Sequence, residues 1–420
     1  MKILYLLNSR QESFTLFSKN PVTNFPWVDS LIDELQKSNL LSLAIAVPIN
    51  SKDFQTAKKN GITLYGLPAR NKTGIFKKAL RRFRKSSDNS EVNRHALQAI
   101  SEFRPDVIHI FGTESSLGLI ISKQNVPVVI HFQGSLQVIL KKWFSGISKW
   151  EQFRYASLKD ILLSHGSFHE FQAFKKRAER EALIMNNCKY YVGRTDFDRR
   201  LVSLVSPNAK YFHCEEFIRK VFFEKSWDYP LSDDISCVSI LKGTTYKGID
   251  LLVETALILG LHSPLNFNFK IIGLDEKDEV LQLVKRKYRH EFKYLNISYL
   301  GRMDADKLAL NLCNSNFYIH PSYIENSPNS VCEAMALGIP IISTNVGGIS
   351  SLISDKKEGI LVQEGEPFAM AAAILELSRN YQYARLLGKN ARKRSVQRHA
   401  PSEITKQLLN TYKSILQENE

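Results

Sequence analysis

Short apolar runs alternate with segments of helical periodicity along the whole chain. In the first half, such runs predict strands over 2–7, 41–47, 62–65, 106–111, 126–132, 190–193 and 210–213. In the second half, they predict strands over 235–241, 267–273, 295–300, 317–320, 339–343 and 359–362. Amphipathic patterns predict helices between them, for example over 27–37, 91–103 and 402–416. This alternation indicates an α/β fold, in which helices cover both faces of parallel sheets.

A turn-rich stretch over 225–234 separates two such series of strands and helices. A chain of 420 residues is long enough to form two hydrophobic cores. We therefore predict an N-terminal domain over 1–225, a C-terminal domain over 226–400 and a final helix within 401–420. The stretch 134–186 is rich in aromatic and charged residues, and its pattern assigns it no role.

The composition is that of an ordinary globular protein, with 44% hydrophobic and 24% charged residues. No apolar run approaches the ~20 residues that a membrane-spanning helix needs. The five cysteines include no C-x-x-C pair, so we expect thiols in a reducing compartment and no zinc site. The apolar run at the N-terminus is too short for a signal peptide, and we expect a cytoplasmic location.

The charge balance indicates an anionic partner, because the chain has 57 Lys and Arg residues and 42 Asp and Glu residues, which gives a net charge of +15. No motif of a nucleic-acid-binding module is present, so we expect no nucleic acid partner. The densest basic cluster is 76–85, where apolar positions at helical spacing lie between cationic flanks. Two interpretations stay open: peripheral contact with the anionic inner face of the cell membrane, or a solvated basic helix whose apolar stripe joins the core.

The most informative segment is 320–340, in which seven residues separate the carboxylates of Glu325 and Glu333. The sequence predicts a helix over 328–337. Ser327 is a suitable N-cap, and Pro328 suits the first helical position, where a missing N–H costs nothing. Gly338, followed by a proline two residues later, predicts the end of this helix.

Helical spacing places Asn329 and Glu333 on one face, one turn apart, and the apolar residues on the other. The free N–H groups of the first turn attract anions. Carboxylates that accept hydroxyl hydrogens, together with a helix N-terminus, suit a ligand made of sugar and phosphate. The alternative is an ordinary amphipathic helix with a solvated glutamate.

The segment resembles the E-x7-E motif of the retaining glycosyltransferases of family 4, which have the GT-B fold. Further segments resemble the same family in the same order, namely Lys242-Gly243-Thr244-Thr245-Tyr246-Lys247-Gly248, Tyr299-Leu300-Gly301-Arg302-Met303, Ile341-Ile342-Ser343-Thr344-Asn345-Val346-Gly347-Gly348 and Glu358-Gly359-Ile360-Leu361-Val362. The resemblance covers about 120 residues of the second half, and the first half matches only loosely. It implies two Rossmann-like, doubly wound parallel-sheet domains that face each other across a cleft. The final helix would return to the N-terminal domain.

The resemblance assigns roles in binding a nucleotide diphosphate sugar, such as a UDP- or GDP-sugar. Lys242 and Lys247 would stabilise the diphosphate leaving group, where negative charge grows in the transition state. The family usually has arginine at the position of Lys242. Lysine cannot make the bidentate contact of a guanidinium group with the diphosphate. Glu325 would contact the transferred sugar and Glu333 the ribose hydroxyls.

The remaining donor contacts are implied by the same resemblance. Backbone N–H groups from the first turn of the helix and from two glycine-containing loops would bind the donor, with the base held near Met303. These residues are Asn329, Ser330, Gly243, Gly301 and Met303. In the N-terminal domain, His131 lies near the end of the predicted strand over 126–132, and Gln133 follows that strand. The family commonly has His-Gly at this place, and either residue could reach the sugar. A strand histidine is also a common core residue.

The string Asp304-Ala305-Asp306 matches the D-x-D metal motif of other glycosyltransferases. It precedes an amphipathic helix, and an acidic first turn favours helix capping instead. We therefore expect no divalent metal requirement and no cofactor beyond the donor. The family retains anomeric configuration without a clear enzymic nucleophile, so we assign no general base.

We expect a retaining hexosyltransferase that acts on a glycan or a polyprenyl-diphosphate-linked acceptor in cell-surface polysaccharide synthesis. Two other classes stay open. A GT-B sugar-nucleotide 2-epimerase would release no sugar to an acceptor, and a non-catalytic GT-B subunit would have no reason to keep Glu325, Glu333 and Lys247.

Overall fold

The computed structural model describes residues 1–8, 26–37, 41–69, 90–156, 167–230 and 234–420. The chain divides into two compact units. The first comprises 1–137, 173–217 and 399–420, and the second comprises 138–172 and 218–398. The predicted basic segment 76–85 lies outside the described residues, as does part of the predicted boundary stretch.

The first unit contains an eight-stranded sheet in the order β3-β4-β2-β1-β5-β6-β7-β8. Its strands are β1 (Lys2–Leu6), β2 (Ser42–Ile49), β3 (Gln55–Lys59), β4 (Ile62–Pro68), β5 (Val107–Phe111), β6 (Val128–His131), β7 (Tyr190–Gly193) and β8 (Lys210–His213). Only the edge strand β3 pairs antiparallel, and the other neighbours pair parallel. Their carboxyl ends therefore lie along one edge.

Helices supply the rest of the first unit's two core layers. They span Pro26–Lys37, Ser90–Phe103, Asp196–Val205 and Pro401–Gln417, with a 3-10 helix over Ser116–Lys123. The Ser167–Asn187 helix joins this unit from residue 173 onward. The last helix buries Ile404, Leu408 and Tyr412. The Tyr412 hydroxyl lies 3.0 Å from the Tyr5 hydroxyl and 2.6 Å from Nδ1 of His109, so it ties this helix to the central strands.

The second unit contains a six-stranded, all-parallel sheet in the order β11-β10-β9-β12-β13-β14. Its strands are β9 (Asp234–Ile240), β10 (Asn266–Ile272), β11 (Ile297–Tyr299), β12 (Phe317–His320), β13 (Ile341–Thr344) and β14 (Ile360–Val362). The chain builds outward from β9 in one direction and from β12 in the other. The adjacent strands β9 and β12 thus form the topological switch point, where open α/β sheets bind ligands.

Helices alternate with these strands, as the pattern predicts. They span Val221–Glu224, Ile249–His262, Glu279–Lys287, Ala305–Cys313, Asn329–Leu337, Ile349–Leu352, Pro367–Arg379 and Tyr381–Arg398, with 3-10 helices over Thr245–Lys247 and Phe292–Tyr294. Two earlier helices span Leu136–Lys142, which begins in the first unit, and Lys149–Arg154. Among the described residues, no helix is both long and apolar enough to cross a membrane.

Residues 138–172 group with the second unit, whereas the predicted division placed them with the first. Ile147 is fully buried in the core of the second unit. The Thr245 hydroxyl donates to the backbone carbonyl of Trp143 at 2.5 Å, and the Trp143 and Tyr246 rings lie 5.9 Å apart. These contacts attach the segment to the loop that follows β9, a relation that strand and helix periodicity cannot reveal.

Candidate functional site

Lys247 and Glu325 lie at the switch point of the second unit's sheet. Lys247 follows β9 and Glu325 follows β12, and the two strands are neighbours. The Lys247 ammonium Nζ lies 2.5 Å from Oε1 of Glu325. Both side chains are largely shielded from solvent, with 19% and 8% exposed. The structure therefore brings together the two residues that the sequence predicts at the centre of the site.

Two further groups hold the Glu325 carboxylate. The Ser322 hydroxyl donates to Oε1 at 2.8 Å, and Nε2 of His320 lies 3.2 Å from the same oxygen. Burial by itself raises the pKa of Glu325, but the charge of Lys247 and the contact with His320 outweigh it and hold the pKa well below its ordinary value. Glu325 is therefore an anion at neutral pH. Burial lowers the pKa of Lys247, and the charge of Glu325 more than offsets this, so the pKa is raised.

The backbone fixes the distance between the two loops. The Tyr323 N–H donates to the carbonyl of Tyr246 at 2.8 Å. Gly248 has φ 75°, and a Cβ there would lie 2.0 Å from the Pro321 carbonyl oxygen. Only glycine permits this close approach. The Lys-Gly pair of the motif thus supplies a cation and the space that lets its loop reach the Glu325 loop.

The helix after Glu325 begins one residue later than predicted. Pro328 has an extended backbone, with ψ 123°, and its carbonyl accepts from Val331 N–H at 3.1 Å. Pro328 therefore occupies the N-cap position that the sequence assigned to Ser327, and the helix runs over Asn329–Leu337. Its predicted end is confirmed, because Gly338 adopts the left-handed conformation with φ 84°.

Glu333 is buried, with 5% exposed, which argues against the alternative of an ordinary amphipathic helix with a solvated glutamate. Nε and Nη2 of Arg219 donate to its Oε1 at 2.9 and 2.6 Å. Burial raises the pKa of Glu333, and the Arg219 guanidinium opposes this only in part. Helical spacing could not anticipate the burial, because the covering cation comes from 114 residues earlier in the chain.

The other predicted residues of the second unit lie in loops or in a first helical turn that follow the carboxyl ends of its strands. Lys242 and Gly243 are exposed in the loop after β9. Gly301, in the left-handed conformation, follows β11, and its carbonyl accepts from Gly273 N–H at 2.8 Å. Met303, two residues further, packs partly buried against the apolar core. Ser330 and Asn329 are half-buried in the first helical turn.

Asp304 caps a helix, as the sequence analysis favoured. Its carboxylate accepts from Lys307 N–H at 2.8 Å, and this bond lowers the pKa of Asp304. The helix that it caps spans Ala305–Cys313. Asp306 is exposed within the first turn. In the part of the chain that the structure describes, no three His, Cys, Asp or Glu side chains cluster as metal ligands do.

Sequence reasoning missed Arg219, His320 and Ser322 as site residues. His320 is the last residue of β12, and Ser322 follows two positions later. Position alone could have indicated both, because ligand groups in open α/β sheets follow strand ends. Arg219 lies before the first strand of its unit, outside every recognisable motif, so no local signal marks it.

The predicted residues of the first unit belong to a buried network around Glu216. Gln133 donates from Nε2 to Oε1 of Glu216 at 2.7 Å, and Nε2 of His131 lies 3.3 Å from the same oxygen. Nη1 of Arg194 lies 2.9 Å from Oε2 of Glu216. Burial raises the pKa of Glu216, but Arg194 and His131 outweigh it and lower the pKa overall. His131 is 2% exposed, and its ring stacks on that of His109 at 5.4 Å.

A second buried carboxylate organises the loop after β6. Glu181 is fully buried, and its two oxygens accept from the Thr113 hydroxyl at 2.5 Å and from the Ser135 hydroxyl at 3.0 Å. They also accept from the backbone N–H groups of Leu136 and Gln137, at 3.1 and 3.0 Å. One side chain thus fixes the turn that follows Gln133. The sequence analysis did not single it out.

Comparison with known families identifies the second unit. The family described as glycosyl transferases group 1 matches residues 224–394. An uncharacterized glycosyltransferase of Methanocaldococcus jannaschii is 30% identical over 148 residues, which are 35% of this chain and 39% of that protein. The amylovoran biosynthesis glycosyltransferase AmsK of Erwinia amylovora is 26% identical and matches 55% of this chain and 58% of its own. The chain spans less than two thirds of the length of these curated relatives.

Solved structures resemble the whole chain. The sucrose-phosphate synthase of Thermosynechococcus elongatus has a TM-score of 0.69, is 18% identical, and both chains are covered fully. Anabaena HepE, solved with UDP and glucose, has a TM-score of 0.65 and is 16% identical, with 99% of this chain and all of that one covered. At such identities the likeness establishes the fold alone, and that fold is GT-B, with two parallel-sheet α/β domains. The match to the family of the glycosyl transferases group 1 covers residues 224–394, most of the second unit and less than half of the chain.

Proposed function

We propose that the protein is a retaining glycosyltransferase, which moves a hexose-type sugar from a nucleotide diphosphate sugar to a glycan or lipid-linked glycan acceptor. The observation that carries the proposal is the Lys247–Glu325 pair, 2.5 Å apart at the switch point of a sheet inside the glycosyl transferases group 1 domain. A cation and an anion at this place serve the two halves of such a donor, its diphosphate and its sugar.

Lys247 acts on the leaving group. Its ammonium is already partly desolvated and held in position by Glu325 and the backbone around Gly248, so little reorganisation accompanies the reaction. Negative charge grows on the diphosphate as the glycosidic bond breaks, and a preplaced cation stabilises that state more than the ground state. Lys242, exposed in the same loop, adds a second positive charge at the diphosphate.

The two carboxylates bind hydroxyl groups through their remaining oxygens. Oε1 of Glu325 accepts from Lys247 and Ser322, and Oε1 of Glu333 accepts both bonds from Arg219. All of these hydrogen bonds engage Oε1 of the two carboxylates. An ionised carboxylate with one fixed oxygen and one remaining acceptor suits a sugar hydroxyl. Glu325 thereby holds the transferred sugar, and Glu333 the ribose.

The remaining donor contacts come from loops at the same edge of the sheet. Backbone groups near Gly243, Gly301 and Met303 surround the diphosphate and base, and the first turn of the Asn329–Leu337 helix, with Ser330, presents N–H groups to an anion. As the family resemblance implies, either Gln133 or His131 reaches the sugar end of the donor. The reaction needs neither a divalent metal nor a further cofactor.

Similarity to proteins of known context supports the substrate class. HepE was solved with UDP and glucose, and AmsK acts in amylovoran biosynthesis. For this chain we propose a UDP- or GDP-sugar donor and an acceptor of cell-surface polysaccharide synthesis, such as a polyprenyl-diphosphate-linked glycan. We further propose a cytoplasmic protein that meets the inner face of the membrane through the basic segment 76–85. The excess of 57 basic over 42 acidic residues favours such an anionic surface.

A donor screen tests the proposal. Each UDP-, GDP- and ADP-sugar is incubated with the protein and lipid-linked acceptors, and transfer is followed by product mass and by the NMR coupling of the new anomeric proton. We expect one nucleotide class to support transfer with retained configuration. Epimerisation of the donor without transfer would support the 2-epimerase alternative, and no turnover with any donor would contradict the proposal.

Two variants make the screen specific. Lys247→Met removes the ammonium and keeps the length of the side chain, and transfer should fall by about 10²- to 10³-fold, the usual effect of losing one charge-stabilising group. Lys293→Ala is the matched control, because Lys293 is exposed just before β11, at the opposite edge of the same sheet. Equal activity in both variants would remove Lys247 from the mechanism.

A further inference from the structure

Two aromatic side chains of the second unit are exposed side by side. Trp150 and Phe153 lie on the short helix Lys149–Arg154, with 67% and 62% of their surfaces exposed. Their ring centroids are 6.1 Å apart. The other three tryptophans, at positions 27, 143 and 227, are between 2% and 8% exposed. Large adjacent apolar groups left in water mark a surface that contacts a partner.

Contacts on the opposite side of this helix hold it in place, so the helix cannot rotate and bury the two aromatic rings. Ser148 and Glu151 form a reciprocal capping box at the N-terminus. The second oxygen of Glu151 lies 3.1 Å from the ammonium of Lys287. Gln152, with 6% exposed, donates to the carbonyl of Ile147, which is fully buried. The fold therefore holds Trp150 and Phe153 outward.

The charges around the pair favour an anionic partner. Lys149 and Arg154 flank it on the same helix, and Lys141 is exposed on the preceding one. Within the described residues 136–156, Lys142 pairs with Glu364, and the one carboxylate, Glu151, contacts Lys287. The exposed charge next to the aromatic rings is thus positive, in a chain with a net charge of +15. Aromatic rings with Lys and Arg beside them are typical of the boundary between lipid headgroups and acyl chains.

We infer that the Trp150–Phe153 pair is a docking surface for an anionic lipid bilayer. The rings enter the headgroup region, and Lys149, Arg154 and Lys141 contact the lipid phosphates. This surface shares no residue with the Lys247–Glu325 site, and its contact with lipid does not depend on the proposed transfer reaction. It also consists of other residues than the segment 76–85.

The tryptophan content of the chain provides a direct measurement. Because Trp150 is the exposed one of four tryptophans, a change of emission on binding reports on this surface. The protein is mixed with phosphatidylcholine vesicles with and without phosphatidylglycerol, and flotation gives the bound fraction. We expect binding to the anionic vesicles, a blue shift of emission, and quenching by lipids brominated in the acyl chains.

Variants separate this surface from other routes to the membrane. Trp150→Ser with Phe153→Ser should weaken partitioning into anionic vesicles by about tenfold or more, the effect of losing two interfacial aromatic groups. Trp150→Phe should keep the binding and lose the quenching. Leu261→Ala is the matched control, because Leu261 is 79% exposed elsewhere on the same unit, and its binding should equal that of the wild type.

Three results would overturn the inference. The first is no binding to anionic vesicles. The second is binding without quenching of Trp150, which would assign membrane contact to another segment such as 76–85. The third is the same emission change with a soluble oligosaccharide and none with lipid, which would make the pair a sugar-stacking surface. All measurements omit donor and acceptor, so a failure of the proposed transfer reaction cannot mimic any of these results.

Discussion

The ammonium of Lys247 lies 2.5 Å from the carboxylate of Glu325, although the two residues are 78 positions apart in the chain. The contact exists because parallel order places the ends of β9 and β12 side by side and Gly248 lets the two loops approach. A buried ion pair of this kind is weak evidence for stability, because desolvation of both charges offsets their attraction. The pair instead keeps a cation and an anion in fixed positions at one edge of the sheet.

Removal of one partner of this pair should destabilise the folded protein. Lys247→Met leaves the Glu325 carboxylate buried without its cation, and we expect the free energy of unfolding to fall by about 3 kcal/mol. Glu325→Gln, combined with it, should restore much of this loss, because no charge then stays buried. Urea unfolding of both single variants and the double variant measures the coupling, and strictly additive losses would contradict a direct pair.

The same pair predicts the acid limb of stability. The pKa of Glu325 is held below its ordinary value in the folded protein, so its contribution is present above the unfolded value, about 4.3, and is lost as the pH falls below it. The difference in unfolding free energy between wild type and Glu325→Gln should therefore shrink as the pH falls from about 5 to about 3. A difference that does not depend on pH would show that Glu325 is not preferentially ionised by folding.

Asp250 should produce the opposite pH dependence. It is 1% exposed, and burial raises its pKa from 3.8 to about 6, although the Tyr323 hydroxyl, donating at 2.7 Å, opposes this. An acid whose pKa is raised by folding stabilises the folded protein at pH values below its unfolded pKa. This stabilisation is lost as the pH rises through the folded pKa. Relative to Asp250→Asn, the wild type should lose up to about 3 kcal/mol between pH 4 and pH 8. Unfolding curves across that range measure it, with Tyr323→Phe as the variant that should raise the pKa further.

Glu333 should affect donor binding more than turnover. In Glu333→Gln the contact to Arg219 becomes weaker, and the group that accepts from the ribose becomes neutral. Because one charged hydrogen bond to the donor is lost, we expect the donor KM to rise by about 10- to 100-fold. Steady-state kinetics with the donor from the screen measure it. Glu358→Gln is the control, since Glu358 forms a similar pair with Arg394 at 3.0 Å just before β14, at the other edge of the sheet. An unchanged KM in Glu333→Gln would contradict the ribose contact.

Glu181 should be required for the stability of the first unit. Its carboxylate accepts four hydrogen bonds, so Glu181→Gln, with one acceptor oxygen and a donor in place of the other, leaves at least one buried donor without its partner. We expect a loss of about 1–3 kcal/mol in the free energy of unfolding. Glu179→Gln, at an exposed position on the same helix, should change it little and serves as control. Equal stability of both variants would mean that the loop after β6 is held by other contacts.

Activity should survive chelation. The Asp304 carboxylate caps a helix by accepting from Lys307 N–H, so we expect the D-x-D string to serve the helix and not a metal. Transfer measured after EDTA treatment, with and without added Mg²⁺, should be unchanged, and Asp306→Asn should behave like the wild type. Loss of activity with EDTA and its return with Mg²⁺ would contradict the metal-independent mechanism.

The regular part of the fold was predictable because its strands are buried on both faces and have continuous apolar runs. The strand over Phe317–His320 and the strand over Tyr190–Gly193 occur where the sequence predicts them. The edge strand Gln55–Lys59 was missed, since it alternates exposed and half-buried residues and carries polar side chains. Apolar periodicity detects central strands and is weak at sheet edges.

The site was predictable only as far as local motifs extend. Lys247 and Glu325 follow strand ends and lie in recognisable segments, so parallel order brings them together. The burial of Glu333 was not predictable, because every residue from Val331 to Leu337 is buried and a distant arginine covers its outer face. Contacts made by segments far apart in the chain leave no periodic signal.

The first unit depends on residues that are made after the whole of the second. Tyr412, on the helix over Pro401–Gln417, completes the hydrogen bonds of Tyr5 and His109 in that unit. Residues 138–172 and 218–398, which form the second unit, leave the ribosome before this helix does. During translation, the domain whose synthesis starts first is therefore the last to reach its native state, and nascent chains pass through a stage in which its sheet is open on one side.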